Sequence, residues 1–186
     1  MAGKIPQGSR RELAPEGTHN AVCIQVIDLG TQPSEKWGDK RKVQLAWQLV
    51  DEETKEGKAV VTYKRYTFSS SPKSSLMIDL KAWMGIKGRD FEMDNCLGKP
   101  CLLTIEHSET ENGTYDNVTN LSGLPKGVKV KKHTEPLKSL YLDSEFDKDV
   151  FEDLPDFLQA KILATPEYEA VTAATKPKGK PPTKKK

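Results

Sequence analysis

Residues 59–85 read AVVTYKRYTFSSSPKSSLMIDLKAWMG, and the period of the sequence changes inside this stretch. In its first part Val60, Thr62, Lys64, Tyr66 and Phe68 alternate with Val61, Tyr63, Arg65 and Thr67. That two-residue period is the signature of a strand with two unlike faces. After Ser-Pro-Lys-Ser-Ser the apolar residues Leu76, Leu80, Trp83 and Met84 recur at helical spacing and form one stripe. Ser74 or Ser75 is placed to cap the start of this helix, and Gly85 to end it.

Upstream lie two more strand patterns. The first covers His19 to Leu29, with Val22, Ile24 and Val26 alternating with Cys23, Gln25 and Ile27. A polar loop with Pro33, Trp37 and Gly38 separates it from the second, Arg41 to Asp51. There Val43, Leu45, Trp47 and Leu49 take one face, and Lys42, Gln44, Ala46 and Gln48 the other. Downstream, a loop through Phe91 and Leu97 leads to a strand at Pro100 to His107. Asn112-Gly113 then signals a tight hairpin, and a fifth strand follows from Thr114 to about Leu121. The expectation is a mainly β protein: a five-stranded OB-fold barrel with one helix between strands three and four. An SH3-like barrel is the alternative closure, and the helix in the fourth slot argues against it.

Charge divides the rest of the chain. The net charge of +2 conceals nine acidic and two basic side chains in residues 142–169, and six lysines with no acid in residues 170–186. The expected organisation is a flexible arm at 1–16, a binding domain at 17–132, an acidic and partly helical segment at 133–169, and a disordered Lys-rich tail at 170–186. Pro155 and Asp156 suit the start of a short helix whose apolar side is Leu154, Phe157, Leu158, Ile162 and Leu163. Phe157, Leu158 and Ile162 are candidates for binding a protein partner. The segment could equally compete with nucleic acid for a basic surface, or pack on the barrel as an extra helix.

No pattern for catalysis stands out. His19, His107 and His133 are scattered, and no metal-ligand spacing, nucleophile elbow, P-loop or dinucleotide fingerprint occurs. Cys23, Cys96 and Cys101 form no CxxC pair and are expected to be free, buried or half-buried thiols. The reading is a non-enzymatic protein without cofactor or metal. No apolar run reaches membrane-spanning length, and MAGKIPQGSRREL lacks the apolar centre of a signal peptide, so a cytoplasmic location is expected.

Cations interleaved with aromatics are the positive signal. Trp37 lies in the first loop beside Lys40, Arg41 and Lys42; Tyr63, Lys64 and Arg65 lie on strand three; Lys73 precedes the helix and Tyr115 is on strand five. Lysine and arginine neutralise phosphates and rings stack on bases, which suits single-stranded DNA without a base-edge code. Plainer roles compete: Lys40, Arg41 and Lys42 can be a solvated strand edge, and Trp47 and Trp83 are expected in the core.

Six blocks in order carry a resemblance: PEGTHNAVCIQVIDLGTQ, RKVQLAWQL, KRYTFSSSPKSSLMIDLKAWMG, LGKPCLLTIEH, NLSGLPKG and FDKDVFEDLPDFLQAKILATPEY. Together, over residues 4–169, they resemble the small OB-fold single-stranded DNA-binding proteins of tailed phages and prophages. The resemblance implies non-specific cover of single strands during replication, recombination or repair in a bacterial host, with replication or recombination enzymes as possible partners. An adaptor holding such an enzyme, or a strand-annealing factor, is the alternative. One departure is plain: bacterial single-strand binding proteins and several phage ones end in an acidic tip that recruits partner enzymes, whereas here the acidic segment is internal and the last residues are Lys184, Lys185 and Lys186.

Overall fold

β1 (Gly17–Gln32) is the strand around which everything else is arranged, because it pairs with three neighbours. Its first part, Gly17 to Val22, is antiparallel to β4 (Pro100–Thr110). Residues Ala21 to Gln32 are antiparallel to β2 (Lys40–Glu53), with register shifts between Cys23 and Gln25 and between Asp28 and Gly30. Where β4 peels away, the Cys23 carbonyl accepts from the Gly98 amide at 2.8 Å. The freed edge at Gln25–Ile27 is taken by a three-residue parallel strand, β6 (Lys138–Leu140), which has no periodic signal of its own. β3 (Ala59–Thr67) and β5 (Gly113–Ser122) complete a mainly β fold in the order β3-β2-β1-β4-β5. The sheet is open, with β3 and β5 at the two ends of that order. The computed structural model describes residues 11–175.

α1 (Ser75–Met84) lies between β3 and β4 in the chain, as its stripe predicts. The Ser74 side chain accepts from the Met77 amide at 3.2 Å, and Gly85 ends the helix in the left-handed region at φ 62°. Leu76, Met77, Leu80 and Trp83 are buried. They join Val43, Leu45, Trp47 and Leu49 of β2 in the main core. Trp83 meets Trp47 edge-on at 6.3 Å, and its indole N–H donates to the Pro100 carbonyl at 2.8 Å. Burying each such side chain stabilises the fold by roughly 1.5–3 kcal/mol. Cys23, Cys96 and Cys101 are free and buried. Burial pushes their thiols up, with neighbouring thiols adding to the effect at Cys23 and Cys101, and Asp94 at Cys96, which reaches about 12.

A second core lies on the other face of β1. Ile27 and Leu29 meet Leu140, Leu142, Phe151, Leu154, Leu158 and Ile162. These come from β6 and the residues just after it, from α2 (Lys148–Glu152), the turn that follows it and α3 (Asp156–Leu163), which α4 (Pro166–Thr175) follows. Phe146, Phe151 and Tyr168 pack as a ring cluster with centroid separations of 5.8, 5.8 and 5.2 Å. Asp28, fully buried, ties the layers together. It accepts from the Gly30 amide at 3.0 Å, from the Leu142 amide at 3.1 Å, and from Arg41 in an ion pair.

Three expectations are corrected here. Leu158 and Ile162 are not a partner-facing surface: of the roles left open for the acidic segment the fold shows packing, its apolar side covering Ile27 and Leu29, with Leu158 and Ile162 3% and 0% exposed. Neither can also face a partner, whereas Phe157 is 52% exposed. Residues 170–175 belong to α4 rather than to a disordered tail. Arg11 to Glu16 are seated on the sheet: Ala14 is fully buried, and His107 Nε2 donates to its carbonyl at 2.7 Å. The remainder of the expected arm, 1–10, and of the expected tail, 176–186, lie outside the described residues.

Candidate nucleic-acid interface

Alternation on β3 works as the sequence indicates. Thr62 and Tyr66 point into the core, so Tyr63 and Arg65 point out. Tyr63 stands opposite Ala46 of β2 in the ladder, where a methyl group leaves room for the ring. Arg65 stands opposite Gln44, whose side-chain oxygen accepts from Arg65 Nε at 3.0 Å. This bond holds the guanidinium beside Tyr63, 5.3 Å from the ring centroid.

β5 supplies the facing wall. Tyr115, 47% exposed, follows the Asn112-Gly113 turn, and Asn117 is fixed by donating to Ser108 at 2.7 Å. Between β3 and β5 runs a groove of about 770 Å³ lined by Tyr63, Lys64, Arg65, Tyr115, Asn117 and Arg11. Arg11 enters it from the N-terminal segment. Its guanidinium lies 5.4 Å from the Tyr63 centroid, on a ring already flanked by Arg65. Arg65 also lines a separate, smaller groove of about 240 Å³ together with Lys42 and Lys161. The two grooves, sharing Arg65, together mark out a candidate path from Tyr115 past Tyr63 and Arg65 to Lys42.

The charge along this path is mostly uncompensated. Arg65, Lys42 and Lys161 form no ion pair among the described residues. Lys42 donates instead to the Thr67 hydroxyl at 2.9 Å. Arg11 is paired with Asp116 and Lys64 with Asp79 at 2.7 Å, so both carry less net attraction for an anion. Asp79 also accepts from the Tyr66 hydroxyl at 2.7 Å. Burial, and then the Asp79 charge, push that phenol well above its usual range.

Of the residues expected from sequence, Tyr63, Lys64, Arg65, Tyr115 and Lys42 are brought together on this path. Trp37 is 69% exposed in the loop before β2, with Lys36 Nζ 4.9 Å from its ring, and Lys40 opens β2 beside that loop. Neither lines the groove. Lys73, exposed in the loop before α1, does not either. Arg41 is corrected most sharply. Its guanidinium is committed to Asp28, which holds its pKa above the ordinary arginine value, so it anchors the fold rather than presenting a free charge. Two lining cations were missed. Arg11 lies in a stretch without period, and Lys161 is one of two bases in the acidic residues 142–169, so neither carries a local signal.

A face of this kind can stack flat rings on Tyr63 and Tyr115 and neutralise anions between them. Among the described residues no group of three or more His, Cys, Asp or Glu is placed to hold a metal ion, and no helix is long and apolar enough to cross a membrane. A scan against models of known protein families and a search of curated proteins return no match to this chain.

Proposed function

We propose that this chain is a non-enzymatic single-stranded DNA-binding protein built on an OB-type barrel. One observation carries the reading: Tyr63, flanked by two guanidinium groups, lies in a groove that shares the unpaired cation Arg65 with a smaller one lined by Lys42 and Lys161, also unpaired. Rings give sequence-tolerant stacking, and unpaired cations at intervals give phosphate contacts. The strand order with a helix between β3 and β4 fits an OB-fold, whose second and third strands and first-to-second and fourth-to-fifth loops are its usual ligand face. The β3 residues of the groove and the Asn112-Gly113 turn correspond to part of that face, which supports the reading. The resemblance to phage single-strand binding proteins points the same way, towards cover of single strands in replication, recombination or repair inside a bacterial host.

The test is a titration of fluorescent oligo-dT and of a duplex of equal length. The expected result is binding of the single strand, weakening steeply with salt, and far weaker binding of the duplex. Equal affinity for both, or for neither, overturns the proposal.

A further inference from the structure

A second groove, of about 880 Å³, runs along α1 and shares no lining residue with the one between β3 and β5. Met77, Ile78 and Ile86 form its apolar floor, and Lys81, Lys87 and Arg89 its charged rim. Among the described residues no acidic side chain lines it. Ile78 is 54% exposed although it sits mid-helix. The three rim cations form no ion pair among the described residues. An apolar floor inside a basic rim suits an acidic segment that carries an apolar anchor.

The chain itself displays such a segment. Phe157, 52% exposed, stands in the first turn of α3 next to exposed Asp156, with exposed Asp149 and Glu152 on the preceding α2. Among the described residues Asp149 and Asp156 form no ion pair, and Glu152 shares only the exposed Lys148 one helical turn away, at 3.3 Å. This surface differs in sign from the α1 rim and offers the aromatic anchor that the floor lacks. Burial in the second core accounts for Leu158 and Ile162 of this helix, whereas Phe157 in its first turn and Leu163 at its end stay exposed. α1 packs on the main core and α3 on the second, so the groove and its complement belong to separate layers of one chain.

We infer that the α1 groove receives Phe157 and the acidic α2–α3 face of a second copy of this chain. A contact between two different patches is heterologous, so copies join head to tail and can extend beyond a pair. Phe157 supplies the desolvated anchor, while the opposed charges set orientation and make the contact sensitive to salt. The inference does not rest on DNA binding, and its test omits nucleic acid.

The experiment is sedimentation velocity of the full chain over a wide concentration range. Weight-average mass should rise with concentration, pass that of a dimer, and fall again at high salt. Phe157→Ala, at an exposed position that does not support the fold, should weaken association by about tenfold or more. The combined Lys81→Glu, Lys87→Glu, Arg89→Glu chain should not associate alone. Neither should the combined Asp149→Lys, Glu152→Lys, Asp156→Lys chain. Mixed, the two reversals restore both contacts and should co-assemble. A wild-type chain that stays monomeric throughout overturns the inference, even if the groove binds some unrelated acidic peptide. So does association that is indifferent to Phe157→Ala and to salt.

Discussion

The Arg11 guanidinium lies 2.5 Å from Asp116 Oδ1, a carboxylate 105 residues further along the chain. The other carboxylate oxygen accepts from the Ala14 amide at 2.8 Å, and Arg11 also donates to the Val61 carbonyl. Val61 is on β3 and Asp116 on β5, the two ends of the open sheet. One side chain from the N-terminal segment thus spans the gap that no backbone ladder closes. It does so inside the proposed binding groove, so strand-edge closure and ligand binding draw on the same cation.

Asp116→Asn separates those two roles. Asparagine keeps an oxygen to accept from Ala14 but removes the negative charge that neutralises Arg11. The arm should stay seated while Arg11 becomes available to a phosphate. The slope of log affinity against log salt should steepen by about one unit, with tighter binding at low salt. Arg11→Ala should lose that gain when combined with Asp116→Asn. An unchanged slope in the single variant would show that Arg11 stays out of reach of the strand.

The groove also distinguishes two arginines that look alike in sequence. Tyr63→Ala should weaken single-strand binding by roughly 1–3 kcal/mol through lost stacking. Arg65→Ala should weaken binding and lower the salt slope by about one, leaving thermal stability nearly unchanged. Arg41→Ala should do the reverse. It strands the fully buried Asp28 carboxylate without its cation, at a cost of about 1–3 kcal/mol in stability. Thermal melts and oligo-dT titrations on the three variants check this pattern. A stable Arg41→Ala chain with a reduced salt slope would move Arg41 to the DNA face.

How much of this was legible depended on the range of the interaction. α1 could be read because its stripe, its Ser74 cap and its Gly85 stop all lie within about a dozen residues. The outward pairing of Tyr63 with Arg65 could be read because a strand alternates with period two. Arg41 could not be assigned, since its partner Asp28 is fixed only by the register of β1 against β2. The docking of the acidic segment leaves one trace in the sequence. VCIQVIDL in β1 is apolar on both sides, as expected of a strand covered on both faces. Arg11 left none, because an aperiodic segment acquires its contacts only after the sheet exists.

Acid should loosen α4 before the main core. The Glu167 carboxylate accepts from the Thr31 hydroxyl at 2.5 Å and from the Thr31 amide at 2.9 Å. Burial pushes its pKa up, but these two bonds and the Arg41 charge outweigh that and hold it below the usual range. A carboxyl with a depressed folded-state pKa contributes stability that is complete above its unfolded value of about 4.3 and is lost as pH falls through the folded value. Hydrogen exchange of the α4 amides should therefore accelerate as pH drops below about 4, after correction for the intrinsic rate. Glu167→Gln should remove that pH dependence. An α4 protected equally in both proteins at every pH would exclude Glu167 as the clasp.

Ending the chain at Leu140 tests what the acidic segment is for. The truncation removes Leu142, Phe151, Leu154, Leu158 and Ile162 together with the Leu142 amide that binds Asp28. Ile27, Leu29 and Leu140, each now 0–1% exposed, would face water. Loss of each such contact surface costs on the order of 1–3 kcal/mol, against a total stability of roughly 5–15 kcal/mol for a domain. The shortened chain should therefore be largely unfolded or aggregated, and no competition between the segment and DNA could be read from it. Charge can be tested without that loss. Asp149→Asn with Asp156→Asn leaves the buried side of α2 and α3 intact. If the segment only packs on β1, this double variant should bind oligo-dT like the wild type. A marked gain in affinity, with the melting temperature unchanged, would instead show that the acidic face competes with DNA for the groove, where Lys161 of the same helix α3 already lies.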